Sequence, residues 1–354
     1  MTQAIIHTSP EGTDLDIKWL TGFRRPMAVN IDRRHYVYVV DGDVGQVHKF
    51  DPLLRYCGAL QGTFGQPQSI AFDATGNLFV TEFANARIQR FTEEGFYTGL
   101  MGITSQREFT NGYVQEGTIR GGNHQGMMKG PASGYFDSRG NFFVTDAAAH
   151  CVMKFSPFGE FAGWIGAMHG GYFTQGWQTH GSPVPSQQPG GFDRPQVTVV
   201  DPSGTLYIAD TWNHRVQRFD VEGAFTGWIG ALQDGSLTRG WTLTGLSAPT
   251  AMPGGFNAPI SLDLDRHGNL LVLEFKNPRI QKFAPDGSFL GWFGGRTDGS
   301  LNCRWERDGF AHIGDRPGVF FECSDIKVRD DTLYVVDTGN KRVQIIRFLP
   351  SDRG

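Results

Sequence analysis

The chain has 354 residues, a net charge of −4, and abundant glycine (48) and phenylalanine (28), without long apolar or helix-periodic stretches. That composition is typical of many short strands joined by turns. The charge gives no bulk attraction to nucleic acid or to anionic membranes, and no window approaches the roughly 20 apolar residues of a membrane span. We therefore expect an all-β protein without nucleic-acid or membrane partners.

The ends and the cysteines indicate the compartment. Residues 1–7 lack a basic run followed by an apolar core, so no secretory signal is predicted. The four cysteines, at positions 57, 151, 303 and 323, show neither CxxC pairing nor metal-ligand spacing with histidine. In a chain of this length they are expected to be reduced, mostly buried thiols of a cytoplasmic protein.

One pattern recurs six times: an apolar strand ending in an acid, a short polar loop, and a second strand. Successive acids are separated by 41, 64, 64, 64 and 63 residues. The acids are Asp41, Glu82, Asp146, Asp210, Glu274 and Asp337. Such regularity indicates one supersecondary unit, each copy of which buries its faces against its neighbours.

The unit itself contains four predicted strands. In residues 195–230, an inner strand follows Pro195, and a turn containing Asp201 and Gly204 returns the chain. The second strand ends at Asp210, and two further strands follow, separated by a glycine turn. Four antiparallel strands make one propeller blade, so six units predict a six-bladed β-propeller.

Residues 192–230 resemble an NHL repeat nearly throughout. They carry the F-x-x-P start, the D-x-x-G turn, the L-Y-I-A-D-T-x-N-H-R-V signature and a terminal W-x-G. The resemblance covers about residues 23–348 and implies the same propeller fold. It says little about function, because this family includes both enzymes and interaction platforms.

We predict a single domain, residues 1–354, in which the N-terminal strand closes the last blade. Residues 14–22 match the outer-strand pattern, and without them blade 6 would leave an unpaired edge. The blades are placed at about 23–61, 62–102, 131–166, 195–230, 259–294 and 323–348 plus 14–22.

Four inserts of 28 residues separate the later blades, at 103–130, 167–194, 231–258 and 295–322. They join outer to inner strands, on the face where the loops after the second strands also emerge, here called the upper face. Long loops are usually functional, so we expect them to crowd the upper mouth of the channel. An aromatic residue recurs every 64 residues in them: Tyr113, Trp177, Trp241 and Trp305. This set predicts either packing wedges or ligand platforms, and His180 is a further candidate ligand-binding residue.

The six acids are interpreted as architectural, because a role repeated in every blade is usually structural. Blades 1 and 3 lack the asparagine and arginine that accompany the acid elsewhere, which leaves Asp43, His150 and Cys151 in altered loops. His214 has the same loop position as His150. If the protein is an enzyme, the candidate acids and bases are Asp43, His150, His214, Glu82 and Glu274.

The residues just after the first proline of each blade point at the channel mouth. Here Met27, Gln68 and Gln196 are candidate ligand-binding residues. In NHL-type lyases acting on peptidyl-hydroxyglycine, this position carries zinc-binding histidines, which are absent here. Calcium-dependent lactonases need converging carboxylates and amides, and only the two glutamines qualify. We assign no metal ligands and predict no cofactor, while a divalent cation in the channel stays open.

RNA binding, another use of this family, requires a basic upper face. The four inserts contain nine Lys or Arg and nine Asp or Glu, so RNA is not expected as a partner. Three functions remain: a binding or scaffold protein that recognises a protein segment or small organic ligand on its upper face, a lyase or hydrolase at the channel mouth, and a carbohydrate-binding propeller. The first is preferred.

Overall fold

In this computed structural model the described residues are 4–5, 15–102, 113, 128–170 and 172–348, and their regular secondary structure is almost entirely β-strand. Apart from strands and turns they contain two short 3₁₀ helices, Thr211–Asn213 and Thr338–Asn340. No helix in these ranges is long and apolar enough to cross a membrane.

Six antiparallel sheets form the blades, with the predicted strand order. In blades 1 to 3 the strands, from inner to outer, are Pro26–Ile31, Val37–Asp41, Gln46–Phe50 and Tyr56–Ala59; Pro67–Phe72, Leu78–Glu82, Arg87–Phe91 and Tyr97–Met101; and Pro131–Phe136, Phe142–Asp146, Cys151–Phe155 and Phe161–Ile165. In blades 4 and 5 they are Thr198–Val200, Leu206–Asp210, Arg215–Phe219 and Phe225–Leu232; and Pro259–Leu264, Leu270–Glu274, Ile280–Phe283 and Phe289–Phe293.

Blade 6 is built from both ends of the chain. Its first three strands are Asp325–Arg329, Thr332–Asp337 and Arg342–Phe348, and its outer strand is Leu15–Leu20. Leu15 is paired with Phe348 and Leu20 with Val343. The predicted closure by an N-terminal strand is therefore confirmed. The short strand Ala4–Ile5 adds a fifth strand outside it.

The blades pack face to face through aromatic and aliphatic side chains. Phe79 of blade 2, for example, contacts Phe136 and Phe142 of blade 3 at ring-centroid distances of 4.7 and 5.5 Å. The seam between blades 5 and 6 buries Leu271, Ile280 and other aliphatic side chains. Each blade therefore buries its faces against its neighbours, as the repeat predicts.

The inserts take a different course from the one expected. After the outer strand, the chain turns over and runs back antiparallel along it, so that Gln178 pairs with Trp164, Thr242 with Trp228 and Glu306 with Trp292. It then returns through short pairings such as Ala167–Met168 with Pro183–Val184, and Ser247–Ala248 with the end of the outer strand of blade 4. The first halves of the second, third and fourth inserts thus thicken the outer wall of the propeller. Their second halves lie against the loops after the second strands on the upper face, where Ser186 O accepts from Asn213 Nδ2 and Thr250 O accepts from Asn277 Nδ2. Most of the first insert lies outside the described residues.

Candidate functional site

The residues after the first proline of blades 1 to 5, together with Ser324 after Cys323 in blade 6, meet at the upper mouth of the channel. They line one cavity of about 60 Å³ together with Ser69, Ser133 and Asp325. The lining residues at this position are Met27, Gln68, Ala132, Gln196, Ile260 and Ser324. The structure therefore brings together three of the sequence-predicted ligand-binding residues, Met27, Gln68 and Gln196. The cavity between them has room for only a few water molecules.

Exposed aromatic side chains stand on the rim of this mouth. Trp212 is 47% exposed and Phe83 is 38% exposed, each on the loop after a second strand. The backbone N–H of Trp212 donates to Asp193 O at 3.2 Å, and that of Phe83 donates to Gln66 O at 3.1 Å. These bonds fix the loops beside the segments that lead into the inner strands. The mouth is therefore a shallow surface with two aromatic groups and two amides.

Below the mouth, charged side chains close the channel between blades 5, 6 and 1. Asp325 accepts a hydrogen bond from Ser261 Oγ at 2.6 Å and one from the backbone N–H of Val29 at 3.1 Å. Lys327 Nζ lies 3.5 Å from Asp325 Oδ1. Asp263 accepts from the backbone N–H of Val328 at 2.6 Å. Each carboxylate thus caps the free inner edge of the next blade.

Burial and charge compete in this cluster. Burial alone lowers the pKa of Lys327, but Asp325 and Asp263 outweigh it and the pKa is raised. Burial also raises the pKa of Asp263, against the opposing effects of Lys327 and the N–H of Val328. Sequence reasoning missed this cluster because it considered only the first residue after each proline. Side chains alternate along a strand, so the second and fourth residues were the signal that could have found it.

The acids that end the second strands are saturated by their own blades. Glu274 accepts from Arg279 Nε at 2.6 Å, Asn277 Nδ2 at 3.0 Å, Gln281 Nε2 at 2.9 Å and the backbone N–H of Asn257 at 2.7 Å. Asp210 and Asp337 have the corresponding partners. This arrangement is the architectural role that the repeat indicates.

Glu82 follows the same pattern, with Arg87 Nε at 2.6 Å and the backbone N–H of Gly65 at 2.7 Å. Asp146 has no arginine partner and accepts three backbone N–H groups instead, from Lys129, Gly130 and Ala149. Burial raises the pKa of Asp146, opposed by those N–H groups. Of these two blades, only blade 2 therefore retains the ion pair.

The two loop histidines are hydrogen-bond acceptors for the next blade. His150 Nδ1 accepts from the backbone N–H of Arg194 at 3.1 Å, and His214 Nδ1 accepts from that of Ala258 at 3.0 Å. Both histidines have a left-handed backbone, with φ of 56° and 52°. Burial lowers the pKa of each; for His150, Asp193 at 3.3 Å opposes this effect. Asp43 is exposed, and its nearest cation is Arg25 at 3.9 Å.

The insert aromatics lie on the outer wall, far from the mouth. Trp177 Nε1 donates to Val221 O at 3.0 Å, and Trp241 Nε1 donates to Pro285 O at 3.0 Å. Both acceptors belong to turns of the following blade that open on the lower face. Lys154 and Arg218 lie over the two rings, at 5.2 and 4.8 Å from the centroids. These tryptophans wedge adjacent blades together.

The other two members of the set occupy related positions. Tyr113 packs against Phe79 at 5.4 Å and lies under Arg90 at 5.2 Å. Trp305 stacks on Phe348 at 5.7 Å, and within the described residues its indole N–H makes no hydrogen bond. His180 is exposed on its insert and contacts the Thr179 hydroxyl at 2.8 Å through Nδ1. None of these side chains lines the upper cavity.

Within the described ranges, no three His, Cys, Asp or Glu side chains are grouped so as to hold a metal ion. The four cysteines are unpaired, with Cys151 and Cys323 buried and Cys57 and Cys303 exposed. The expectation of mostly buried thiols therefore applies to two of the four.

Comparison with known proteins agrees with this fold. The NHL repeat family model matches residues 192–219. Over 157 residues, 42% of this chain, the sequence is 31% identical to peptidylglycine alpha-amidating monooxygenase of Rattus norvegicus, and the same figures hold for the Mus musculus protein. The chain covers only 13% of the length of these two relatives.

Solved propellers superimpose over nearly the whole chain at low sequence identity. Virginiamycin B lyase from Staphylococcus aureus is 10% identical with a TM-score of 0.53, covering 95% of this chain and 100% of that one. A gluconolactonase from Xanthomonas campestris is 14% identical with a TM-score of 0.55, covering 95% and 90%. At such identities the likeness concerns the fold alone. The chain is a six-bladed β-propeller, and residues 192–219 of it match the NHL repeat.

Proposed function

We propose that this propeller is a binding protein whose upper mouth recognises a protein segment. The observation that carries the proposal is the convergence of Met27, Gln68 and Gln196 on a mouth whose cavity measures only about 60 Å³. Pockets that enclose a small molecule are about 300 Å³ or larger. A ligand at this mouth therefore lies across the rim, which suits an extended segment better than an enclosed substrate.

The rim offers the groups that such contacts use. Trp212 and Phe83 present exposed aromatic surface, and aromatic side chains are enriched among the residues that dominate binding energy. Gln68 and Gln196 supply amide donors and acceptors beside them, which can pair with a peptide backbone. Arg194 is exposed next to Gln196 and adds a cation at the same edge.

An enzyme at this mouth is less well supported. Glu82 and Glu274 are occupied by hydrogen bonds within their blades, and His150 and His214 accept backbone N–H groups. A general acid or base needs a free proton site within reach of the substrate. Asp43 is exposed and pairs with Arg25 at 3.9 Å, and within the described residues no histidine contacts it.

A carbohydrate-binding role for the insert tryptophans is also less well supported. Trp177 and Trp241 are half-buried and bonded to the next blade, so substitution is expected to affect stability before binding. Trp305 is half-buried as well and stacks on Phe348 at a ring-centroid distance of 5.7 Å, so its ring is also occupied by packing.

The test is to pan a random peptide library on the wild-type protein and measure the affinity of the enriched peptides for variants. Trp212→Ala and Gln196→Arg alter the upper mouth, and Phe158→Ala, which removes a 78% exposed side chain from a lower turn, is the matched control. We expect the peptides to lose at least about tenfold in affinity for the first two variants, because an anchor residue contributes more than 1 kcal/mol. Equal affinity for all three variants, or cleavage of the peptides, would contradict the proposal.

A further inference from the structure

The outer edge of blade 1 is open, whereas other blades have theirs covered. In blades 3, 4 and 5 an insert runs back along the outer strand and pairs with Trp164, Trp228 and Trp292, respectively. In blade 6 the strand Ala4–Ile5 pairs with the outer strand. The outer strand of blade 1, Tyr56–Ala59, is the last strand of its sheet, and no described residue pairs with its other side. An unpaired edge of this kind is a template for an added strand.

A glycine in the outer strand makes room for the covering segment. It lies opposite a cation of the third strand, in the pairs Gly58 with Lys49, Gly163 with Lys154, Gly227 with Arg218 and Gly291 with Lys282. A Cβ added at any of the last three glycines would lie 2.8 to 2.9 Å from the Cβ of the insert tryptophan. A Cβ added at Gly58 would meet nothing within 4 Å in the described part of the chain. Blade 1 therefore has the glycine but not the tryptophan that uses it.

The neighbouring blade offers the second half of the same site. In blade 4, the indole of Trp177 lies against Gly223 and donates its N–H to Val221 O at 3.0 Å. The corresponding turn of blade 2 contains Gly95 and Glu93 at these two positions. Among the described residues, a Cβ added at Gly95 would meet only the side chain of Leu60. The groove of blade 1, defined here as the space between Gly58 and Gly95, is thus built like the sites that the inserts fill.

The electrostatics of this groove favour an aromatic occupant. In blade 3, Lys154 Nζ lies 5.2 Å from the ring centroid of Trp177 and 5.8 Å from that of Phe143. In blade 1, Lys49 Nζ lies 5.1 Å from the centroid of Tyr38, which has the same position as Phe143. The face of an aromatic ring is the electrostatic complement of an ammonium group. Lys49 therefore complements an indole in the groove, as Lys154 complements Trp177.

Apolar side chains beside the groove are exposed. Phe96 follows Gly95 in the turn of blade 2, and Phe96 and Tyr97 are both exposed. Phe225, which has the position of Tyr97 in blade 4, is only partly exposed and has Phe173 of an insert at 6.3 Å. Blade 2 thus presents to solvent an aromatic surface of the kind that an insert covers in blade 4.

We propose that the groove of blade 1 binds an extended segment of another protein that carries a tryptophan. The segment adds a fifth strand beside Ala59, as in other cases of strand addition to a sheet edge. Its tryptophan lies between Gly58 and Gly95 near Lys49, and its indole N–H donates to Glu93 O. Ala59 replaces the tryptophan that blades 3 to 5 carry at this position, so backbone pairing and the indole hold the segment.

A tryptophan from a second copy of this chain does not fit the groove. Of its eight tryptophans, only Trp212 is exposed, and Trp212 belongs to the 3₁₀ helix Thr211–Asn213 instead of an extended segment. The occupant is therefore a different polypeptide. The groove lies on the outer wall, so this proposal does not rest on the function proposed for the upper mouth.

The probe is a fluorescein-labelled, amidated peptide with the sequence of residues 237–244, which includes Trp241 and covers the outer strand of blade 4. Its fluorescence anisotropy measures its affinity for the purified protein. We expect saturable binding. A peptide in which alanine replaces the tryptophan should bind at least about tenfold more weakly, because the indole is the anchor of the segment.

Gly58→Ala tests the position of the site. The added methyl group meets no described residue in the free protein but collides with the docked tryptophan, so the peptide should bind at least about tenfold more weakly. Gly235→Ala is the matched control, since Gly235 also has a positive φ, 84° against 119° for Gly58, and open space within 4 Å. Gly235→Ala, and Trp212→Ala at the upper mouth, should leave the affinity unchanged.

Hydrogen exchange of the wild-type protein tests the proposal even if Gly58→Ala does not fold. The peptide should slow exchange at the amide of Ala59, and it should leave the amides of Trp164 and Trp228, which already bond to inserts, unchanged. No saturable binding, equal affinity for the two peptides, equal losses in Gly58→Ala and Gly235→Ala, or unchanged exchange at Ala59 would overturn the proposal. A dimer that Gly58→Ala dissociates would also overturn it, because the occupant would then be a second copy of this chain.

Discussion

Ser261 and Asp325 are joined across blades 5 and 6 by a buried hydrogen bond of 2.6 Å, and Asp325 continues the connection to the N–H of Val29 in blade 1. One carboxylate therefore links three blades at the point where the ring closes. The closure depends on this inner contact as well as on the pairing of Leu15–Leu20 with Arg342–Phe348 at the outside.

Removing this carboxylate should destabilise the ring. Asp325→Ala leaves the N–H of Val29 and the ammonium group of Lys327 without their partner, and we expect a loss of about 3 kcal/mol. Ser261→Ala removes one hydroxyl, with an expected loss of about 1–2 kcal/mol. Urea denaturation of the two variants checks the order; a larger loss for Ser261→Ala would contradict the linking role of Asp325.

The acids that end the second strands give a second prediction, in which two of these acids are compared with each other. Glu274→Ala strands Arg279, whose side chain is fully buried, whereas Glu82→Ala strands Arg87, whose side chain is 20% exposed. Since an unpaired buried charge costs about 3–5 kcal/mol, the first variant should lose more stability than the second. The unfolding midpoints of the two variants show which one has lost more stability. Equal losses of stability would count against burial of the arginine as the cause.

The wedge role of the insert tryptophans predicts a difference between two equivalent substitutions. Trp177→Phe loses the hydrogen bond to Val221 O, which should cost about 1 kcal/mol. Trp305→Phe loses no hydrogen bond within the described residues and should cost less. Chemical denaturation of both variants is the measurement. A greater loss for Trp305→Phe would show that the N–H bond is not what distinguishes them.

The fold could be predicted from sequence because the same supersecondary unit recurs along the chain. Acids at steps of 64 residues, each followed by a polar loop, specify the blades, and the segment before Phe23 specifies the closing strand. The channel could not be predicted in the same way. Asp263 and Asp325 each occur in a single blade, so no periodicity marks them. Ser261 shares its repeat position with Ser69 and Ser133, but the repeat does not show that its partner, Asp325, belongs to another blade.

The course of the inserts could not be predicted from the sequence either. The spacing of Trp177 and Trp241 indicates a common role, but the pairing of Gln178 with Trp164 depends on the chain reversing over the outer strand. The upper-mouth residues were found because the proline that precedes Gln68 or Gln196 marks the start of an inner strand. Their function remains a proposal.

The loop histidines predict a specific pH dependence. Burial holds the pKa values of His150 and His214 below the ordinary 6.5, so the folded state favours neutral rings that accept N–H groups. The stability they contribute is present above about pH 6.5 and is lost as the pH falls through the lowered folded values. Asparagine tolerates the left-handed backbone and can also accept, so the double variant His150→Asn, His214→Asn should show a flatter loss of melting temperature below pH 6.5. If the melting temperatures of the wild type and the double variant fall in parallel below pH 6.5, the two histidines are not the cause of this pH dependence.

The central claim is that a protein segment binds across the upper mouth, and amide hydrogen exchange with and without an enriched peptide tests it most directly. We predict slower exchange in the loops 83–86 and 211–214 and in the segments 24–27, 66–69 and 194–197, with no change in the lower turns 32–36 and 201–205. Protection confined to the lower turns or to the outer wall, with the upper mouth unchanged, would contradict the claim.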